Sequence, residues 1–187
     1  MIGLGQPIAQ PLLYRRYVSG RFYTFDWCNN NDASAALVVG TSLLLPFSVP
    51  YPTVFSAVGL ETTVAAGIGG LLDLAIFQDD NNGNISLITD VGTIDGTLVQ
   101  YSSLSLNNLN LFGSYFVGVL PLVAAGTVRT RQNVNASTLG QATSATQAGG
   151  SIYSKSGLGA WPAGSNPYSF WTISANANYP KVLLQAA

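Results

Sequence analysis

Histidine is absent from the 187 residues, cysteine and methionine occur once each, and only 8% of the chain is charged. Each shortage closes off chemistry. Without imidazole there is no Ser-His-Asp or Cys-His site, since that ring is the base such nucleophiles use near neutral pH. Cys28 stands alone, so no intramolecular disulfide forms and no Cys/His cluster can hold zinc. It reads as a small buried hydrophobe rather than a reactive thiol. An 8% charged fraction, against roughly 25% in ordinary soluble chains, argues against a helical bundle, whose wet faces are built from Glu, Lys and Arg. Disorder is excluded by the 48% hydrophobic content, because disordered chains combine low hydrophobicity with high charge. Seven basic and eight acidic residues leave a net charge of −1. No basic field exists for a phosphate backbone, so nucleic acid is not an expected partner.

Long apolar runs are missing too. The richest stretch, Val64 to Phe77, is interrupted by glycines and Asp73; a bilayer span needs about 20 apolar residues, so membrane insertion is not expected. The start, Met1-Ile2-Gly3-Leu4-Gly5, has neither the positive segment nor the apolar core of a signal peptide. What remains is a chain whose polar residues are mainly Ser, Thr, Asn, Gln and Gly. A surface so poor in charge is weakly protected against association, which points to lasting contact with copies of itself or with a larger assembly.

Residues 1–20 read as an extended arm. Pro7 and Pro11 break any helix, and Ile2, Leu4, Ile8, Leu12, Leu13, Tyr14 and Tyr17 are accompanied by only Arg15 and Arg16 as charges. Such a segment fits docking on a partner surface; a first strand packed on its own domain is the other reading. Residues 21–187 read as one β domain. Strand candidates are Arg21–Phe25, Ser42–Val49 with Pro46 at an edge or bulge, Val54–Val64, Leu71–Phe77, Ile85–Val91, Thr97–Leu104, Ser114–Leu120, Tyr168–Ile173 and Lys181–Leu184. Cys28–Asp32, Pro50-Tyr51-Pro52, Gly67–Gly70 and Asp79–Asn84 read as turns. In Leu71–Phe77, Leu72, Leu74 and Ile76 share one face, with Asp73 and Ala75 on the other. Residues 133–167 read as a long loop carrying Tyr153 and Trp161, with or without one short strand. Short strands at even spacing without helical segments predict an all-β antiparallel sandwich or barrel.

Candidate chemistry is sparse. A glycosidase needs two opposed carboxylates, and Asp26, Glu61, Asp73, Asp79 and Asp80 are available, although turns and strand edges are the ordinary place for such acids. Asp79-Asp80-Asn81-Asn82-Gly83-Asn84 is rich in oxygen ligands for a hard cation, and an Asx-rich hairpin turn accounts for it equally well. No phosphate-binding loop is present. No enzyme activity, metal or cofactor is expected.

The order of segments is familiar. Gly20-Arg21-Phe22-Tyr23, then Thr41 to Pro50, then Thr53-Val54-Phe55 leading to Val58-Gly59-Leu60-Glu61-Thr62-Thr63, resembles the terminal domain of tailed-phage fibre and receptor-binding proteins. The similarity runs on through Leu72–Asp80, Asp90–Gly96 and Gly113–Val119 to Tyr179-Pro180-Lys181-Val182-Leu183-Leu184, and is weakest over the long loop. The resemblance implies a jelly-roll-like antiparallel β-sandwich that assembles as a homotrimer on a virion. Family members usually carry this domain at the end of a long fibre, whereas about 20 residues precede it here, which favours a small spike or decoration protein docked on other virion proteins by its arm. Two functions follow as expectations. A fibre or spike head would touch a host-surface glycan or protein, with Tyr153, Trp161, Tyr168 and Trp171 as rings that can stack on sugars. The alternative is a capsid decoration (cement) protein stabilising the shell. A monomeric lectin-like module is a more distant third.

Overall fold

The computed structural model describes residues 17–23, 28–124, 126–133, 152–174 and 178–187. The arm residues 1–16, and with them Ile2, Leu4, Ile8, Leu12, Leu13, Tyr14, Arg15 and Arg16, lie outside the described residues. The described part is twelve strands and one 3-10 turn, all strand pairs being antiparallel. The all-β sandwich expected from the sequence is what forms.

Its frame is a ribbon of two long strands, β3 (Ser42–Val64) and β6 (Tyr101–Pro121), counting β1 (Phe22–Tyr23) and β2 (Cys28–Ala36) before them. The sequence reading divided each of these two strands in half. Pro50-Tyr51-Pro52 bends the ribbon instead of reversing the chain. Between Val49↔Gly113 and Thr53↔Leu111, β3 takes four steps to two on β6; between Phe55↔Leu109 and Ala57↔Ser105 the excess lies on β6. The two bulges cancel, so the register resumes beyond the bend. Asn107 and Asn108, with φ of 51° and 59°, supply the left-handed residues of the second bulge, a conformation Asn tolerates.

The bent ribbon folds back on itself. Gly40 N donates to Pro121 O at 2.8 Å and Leu37 N to Gly126 O at 3.2 Å, while Val64 pairs with Thr127. Both ends of β3 therefore meet the connection after β6. One layer holds β4 (Leu71–Asp79), β5 (Asn84–Asp95), β8 (Ile152–Lys155), β9 (Ser165–Pro167) and β10 (Thr172–Ser174), with the first half of β3 and the second half of β6. The other holds β1, β2, β7 (Thr127–Asn133), β11 (Asn178–Pro180) and β12 (Val182–Ala186), with the remaining halves. Leu45, Phe47 and Val49 from before the bend share a buried cluster with Phe55, Val58 and Leu60 from after it, joined by Leu72, Leu74, Ile76, Val117 and Val119. At about 1.5–3 kcal/mol for each large apolar side chain removed from water, this inter-layer core dominates the fold.

Pro46 pairs with Phe116 of β6, and neither the β8 ladder, which ends at Leu44, nor the β12 ladder, which begins at Phe55, reaches it. Its missing N–H therefore costs neither of those ladders a bond. Cys28–Asp32 is part of β2 and not a turn. Pairing with β7 overrides the poor strand propensity of three consecutive Asn, and a register shift between Cys28 and Asp32 absorbs the misfit. The long loop expected over 133–167 contains β8 and β9 in its described part.

Candidate functional site

The outward face of the first layer is where the four sequence-nominated aromatics meet. Pairing sets Asp73 beside Leu120, Ala75 beside Gly118 and Phe77 beside Phe116. Ala75 and Gly118 leave a depression that Trp161 fills: a Cβ on Gly118 would lie 2.6 Å from the indole and 2.9 Å from Phe77. Trp161 meets Phe77 edge-on at 5.3 Å and Trp171 meets it at 6.0 Å. Tyr153 stands edge-on to Phe116 at 5.7 Å and stacks on Tyr168 at 5.5 Å. Lys155 Nζ lies 4.4 Å from the Phe170 ring centre. These rings form a second hydrophobic cluster, with Leu44, Ile85 and Leu120. Tyr153, Trp161 and Trp171 are buried and Tyr168 is half-buried. Three of the four nominated rings are therefore packed into the protein, and Tyr168 is the one that keeps substantial exposure.

Two acidic positions border the layer. Tyr168 donates a short hydrogen bond to Asp79 Oδ1. Burial raises the Tyr168 phenol above its ordinary value, with that hydrogen bond and the Asp79 charge adding to it. Burial, then the Asp79 charge, pushes Tyr153 up to about 12. The adjoining turn is closed on itself. Asp79 Oδ1 accepts from Asn81 N at 2.8 Å; Asp80 accepts from Asn82 N, Asn84 N and Asn84 Nδ2 at 2.7–2.9 Å, and the Asn84 side chain leads in holding its carboxyl below the usual range. The Asx-turn reading describes this geometry, and among the described residues no three His, Cys, Asp or Glu gather as metal ligands.

At the other border Asp73 is 5% exposed and its Oδ1 has no hydrogen-bond partner, nor has the Nε1 of Trp161, itself 8% exposed, or of Trp171. Asp90 of β5 faces it. Sequence reasoning counted Asp73 among the available acids and passed over Asp90; the available signal was Asp90-Val91-Gly92, a glycine placed to build a bulge.

A further feature escaped the sequence reading because it is made of four separated connections. Residues 37–41, 65–70, 96–100, 122–124 and 126 converge at the end of the sandwich opposite the ribbon bend. They are tied by Gly40 N to Pro121 O, Ala66 N to Gly96 O, Gly96 N to Gly70 O and Leu122 N to Leu71 O, all 2.8–2.9 Å. None of these connections carries a charged residue. Val38, Val39, Ile68, Leu98, Val99 and Val123 are exposed on them, Ile68 at 102%.

Tyr17, the one described residue among the arm's nominated docking side chains, packs at the opposite end on its own chain. Its ring lies 5.3 Å from Phe55 and 4.7 Å from Tyr23, and its hydroxyl donates to Ser48 O at 3.4 Å. The described end of the arm therefore lies beside the ribbon bend.

No protein-family model matches the chain, and no curated protein matches it. Among solved structures, that of the cysteine protease and lectin-like domains of Cwp84, a surface layer associated protein of Clostridium difficile, is similar with a TM-score of 0.45 and 11% identity. The match covers 85% of this chain and only 37% of that one, a likeness too slight to carry an argument about function. The class that the fold itself defines is an all-β sandwich.

Proposed function

We propose that this chain is a non-enzymatic structural protein of a phage virion, a trimeric fibre- or spike-type β-sandwich held on the particle by its N-terminal arm and meeting the host surface with its remaining faces. The reading joins the segment order of residues 20–187 to one structural observation that carries it: the charge-free end where four connections expose aliphatic side chains together. Contiguous exposed apolar surface marks interaction sites, and a closed cyclic assembly covers the same patch on every protomer at once. The described end of the arm lies at the opposite end of the sandwich, away from that patch.

Native mass spectrometry of the full chain at micromolar concentration tests the assembly. A trimer is expected, and the double variant Val39→Asp with Ile68→Asp should run as a monomer with an unchanged far-ultraviolet spectrum. A monomeric wild type, or a trimer that survives the double variant, overturns it. Copy number per particle then separates a spike, present in a few copies at one vertex or tail, from a decoration protein present at every capsomer.

A further inference from the structure

The carboxyl pair beneath Trp161 is built by a specific distortion of β5. Asp73 pairs with Thr93 and Leu74 with Gly92, but Ala75 pairs with Asp90, so Val91 is an extra residue. Gly92, at φ 111°, permits the bulge, and its N–H donates to Asp90 Oδ1 at 3.1 Å. Without the extra residue Val91 would stand opposite Ala75. With it Asp90 does, on the face that also carries Asp73. Bulges commonly re-aim a side chain in this way. One carboxyl of the pair is almost wholly buried and the other is exposed. Over them lies the Trp161 indole, whose N–H is beside Asp73 without forming a well-made hydrogen bond.

We propose that Asp73 and Asp90 are a proton-sharing latch: one proton held between them keeps the segment around Trp161 seated on the sheet, and losing it releases that segment. Two carboxylates at hydrogen-bond range repel each other, and a buried charge needs water that the seated indole excludes. Loss of the proton therefore favours an open state in which Trp161 leaves the Gly118 depression. Two N–H groups act the other way, the Leu74 backbone and the Trp161 indole, both favouring the carboxylate, and burial together with the second carboxyl outweighs them. On β6 the neighbour of Asp73 is Leu120, the segment above contributes Trp161, and β5 contributes Asp90 as the titratable group that acts on it.

Burial first, then the Asp90 charge and the hydrogen bond with Asp90, push Asp73 from 3.8 to about 7. Its protonated form thus favours the closed state. That contribution is complete below the ordinary carboxylate value, shrinks as pH rises, and is gone above about 7.

Hydrogen exchange on the full chain reads the latch directly. Leu158 N donates to Gly40 O and Leu87 N to Gly164 O, and both bonds tie the segment around Trp161 to the sheet. After correction for the chemical exchange rate, opening at these amides should rise by up to about ten-fold per pH unit across that window and level off above it. In Asp73→Asn the amide cannot ionise, and opening should be flat with pH. A flat wild-type profile, or an unchanged slope in Asp73→Asn, overturns the proposal. Should that variant not fold, Asp90→Asn serves instead: burial of Asp73 persists while the second carboxylate is gone, so the window should narrow from its upper end, and an unchanged window overturns the latch.

Discussion

The two faces of the first layer are built from alternate residues of the same strands and are closed in different ways. The inward face presents Leu72, Leu74, Ile76, Val117 and Val119, with no polar side-chain atom, to an opposite layer that contributes Phe55, Val58, Leu60, Val128, Tyr179 and Leu184. The outward face presents Asp73, Ala75, Phe77, Phe116, Gly118 and Leu120, and is covered by rings from residues 152–171. On the inward side, strand ladders from both layers fix every side chain. On the outward side, much of the cover is turn and short strand, held by ring contacts and a few backbone bonds. The first arrangement supplies stability; the second is where a polar pair and unpartnered indole nitrogens can be kept under a lid that moves without unfolding the sandwich.

The largest effect that tests this contrast belongs to the inward face. Leu74 is fully buried between the layers, and truncation removes its contacts while leaving a cavity that ladders on both sides prevent from collapsing. Leu74→Ala is expected to cost about 2–5 kcal/mol in urea unfolding, with the transition remaining cooperative. A loss comparable to a surface substitution would mean that the two layers do not form one core.

A smaller and more local effect belongs to the outward face. In Gly118→Ala the new methyl meets Trp161 and Phe77 at under 3 Å. Those atoms belong to rings on the cover and on β4, and the cover is the part able to yield. The expected cost is about 1–3 kcal/mol, with increased acrylamide quenching of tryptophan fluorescence and unchanged exchange at inward ladder amides such as Val119. Loss of protection at Val119 as well would show that the two faces unfold together, and the contrast would fail.

The inward face was legible from sequence because period-two alternation is a local property: Leu72, Leu74 and Ile76 announce a shared side wherever the strand ends up. Strand lengths were not. Pro50, Pro52 and the Asn107-Asn108 pair are turn residues by composition, but in this chain they sit on two paired strands that bend together, and only the pairing shows that the chain does not reverse. The outward face was legible in its members and not in its form. Tyr153, Trp161, Tyr168 and Trp171 do gather, yet whether rings gather as an open platform or a packed lid depends on the depression at Ala75 and Gly118, set by register across β4 and β6. Asp90 faces Asp73 only because Val91 bulges, and the aliphatic end is assembled from four connections far apart in sequence.

The smallest expected effect lies on the outside of the second layer. Glu61 of β3 and Arg129 of β7 join there in a two-point ion pair at 2.9 and 3.1 Å, one residue away from Leu60 and Val128 of the inner core. Their side chains are 40% and 33% exposed, so water solvates both charges when the pair opens and salt screens them. Glu61→Gln keeps the shape and removes the charge. It is expected to cost about 0.2–1 kcal/mol, shrinking further in 1 M salt, and to leave exchange around Trp161 unchanged. A cost of several kcal/mol that persists in high salt would mean that this outer face is also covered in the assembled protein, and that the first layer is not the only one whose outside is closed.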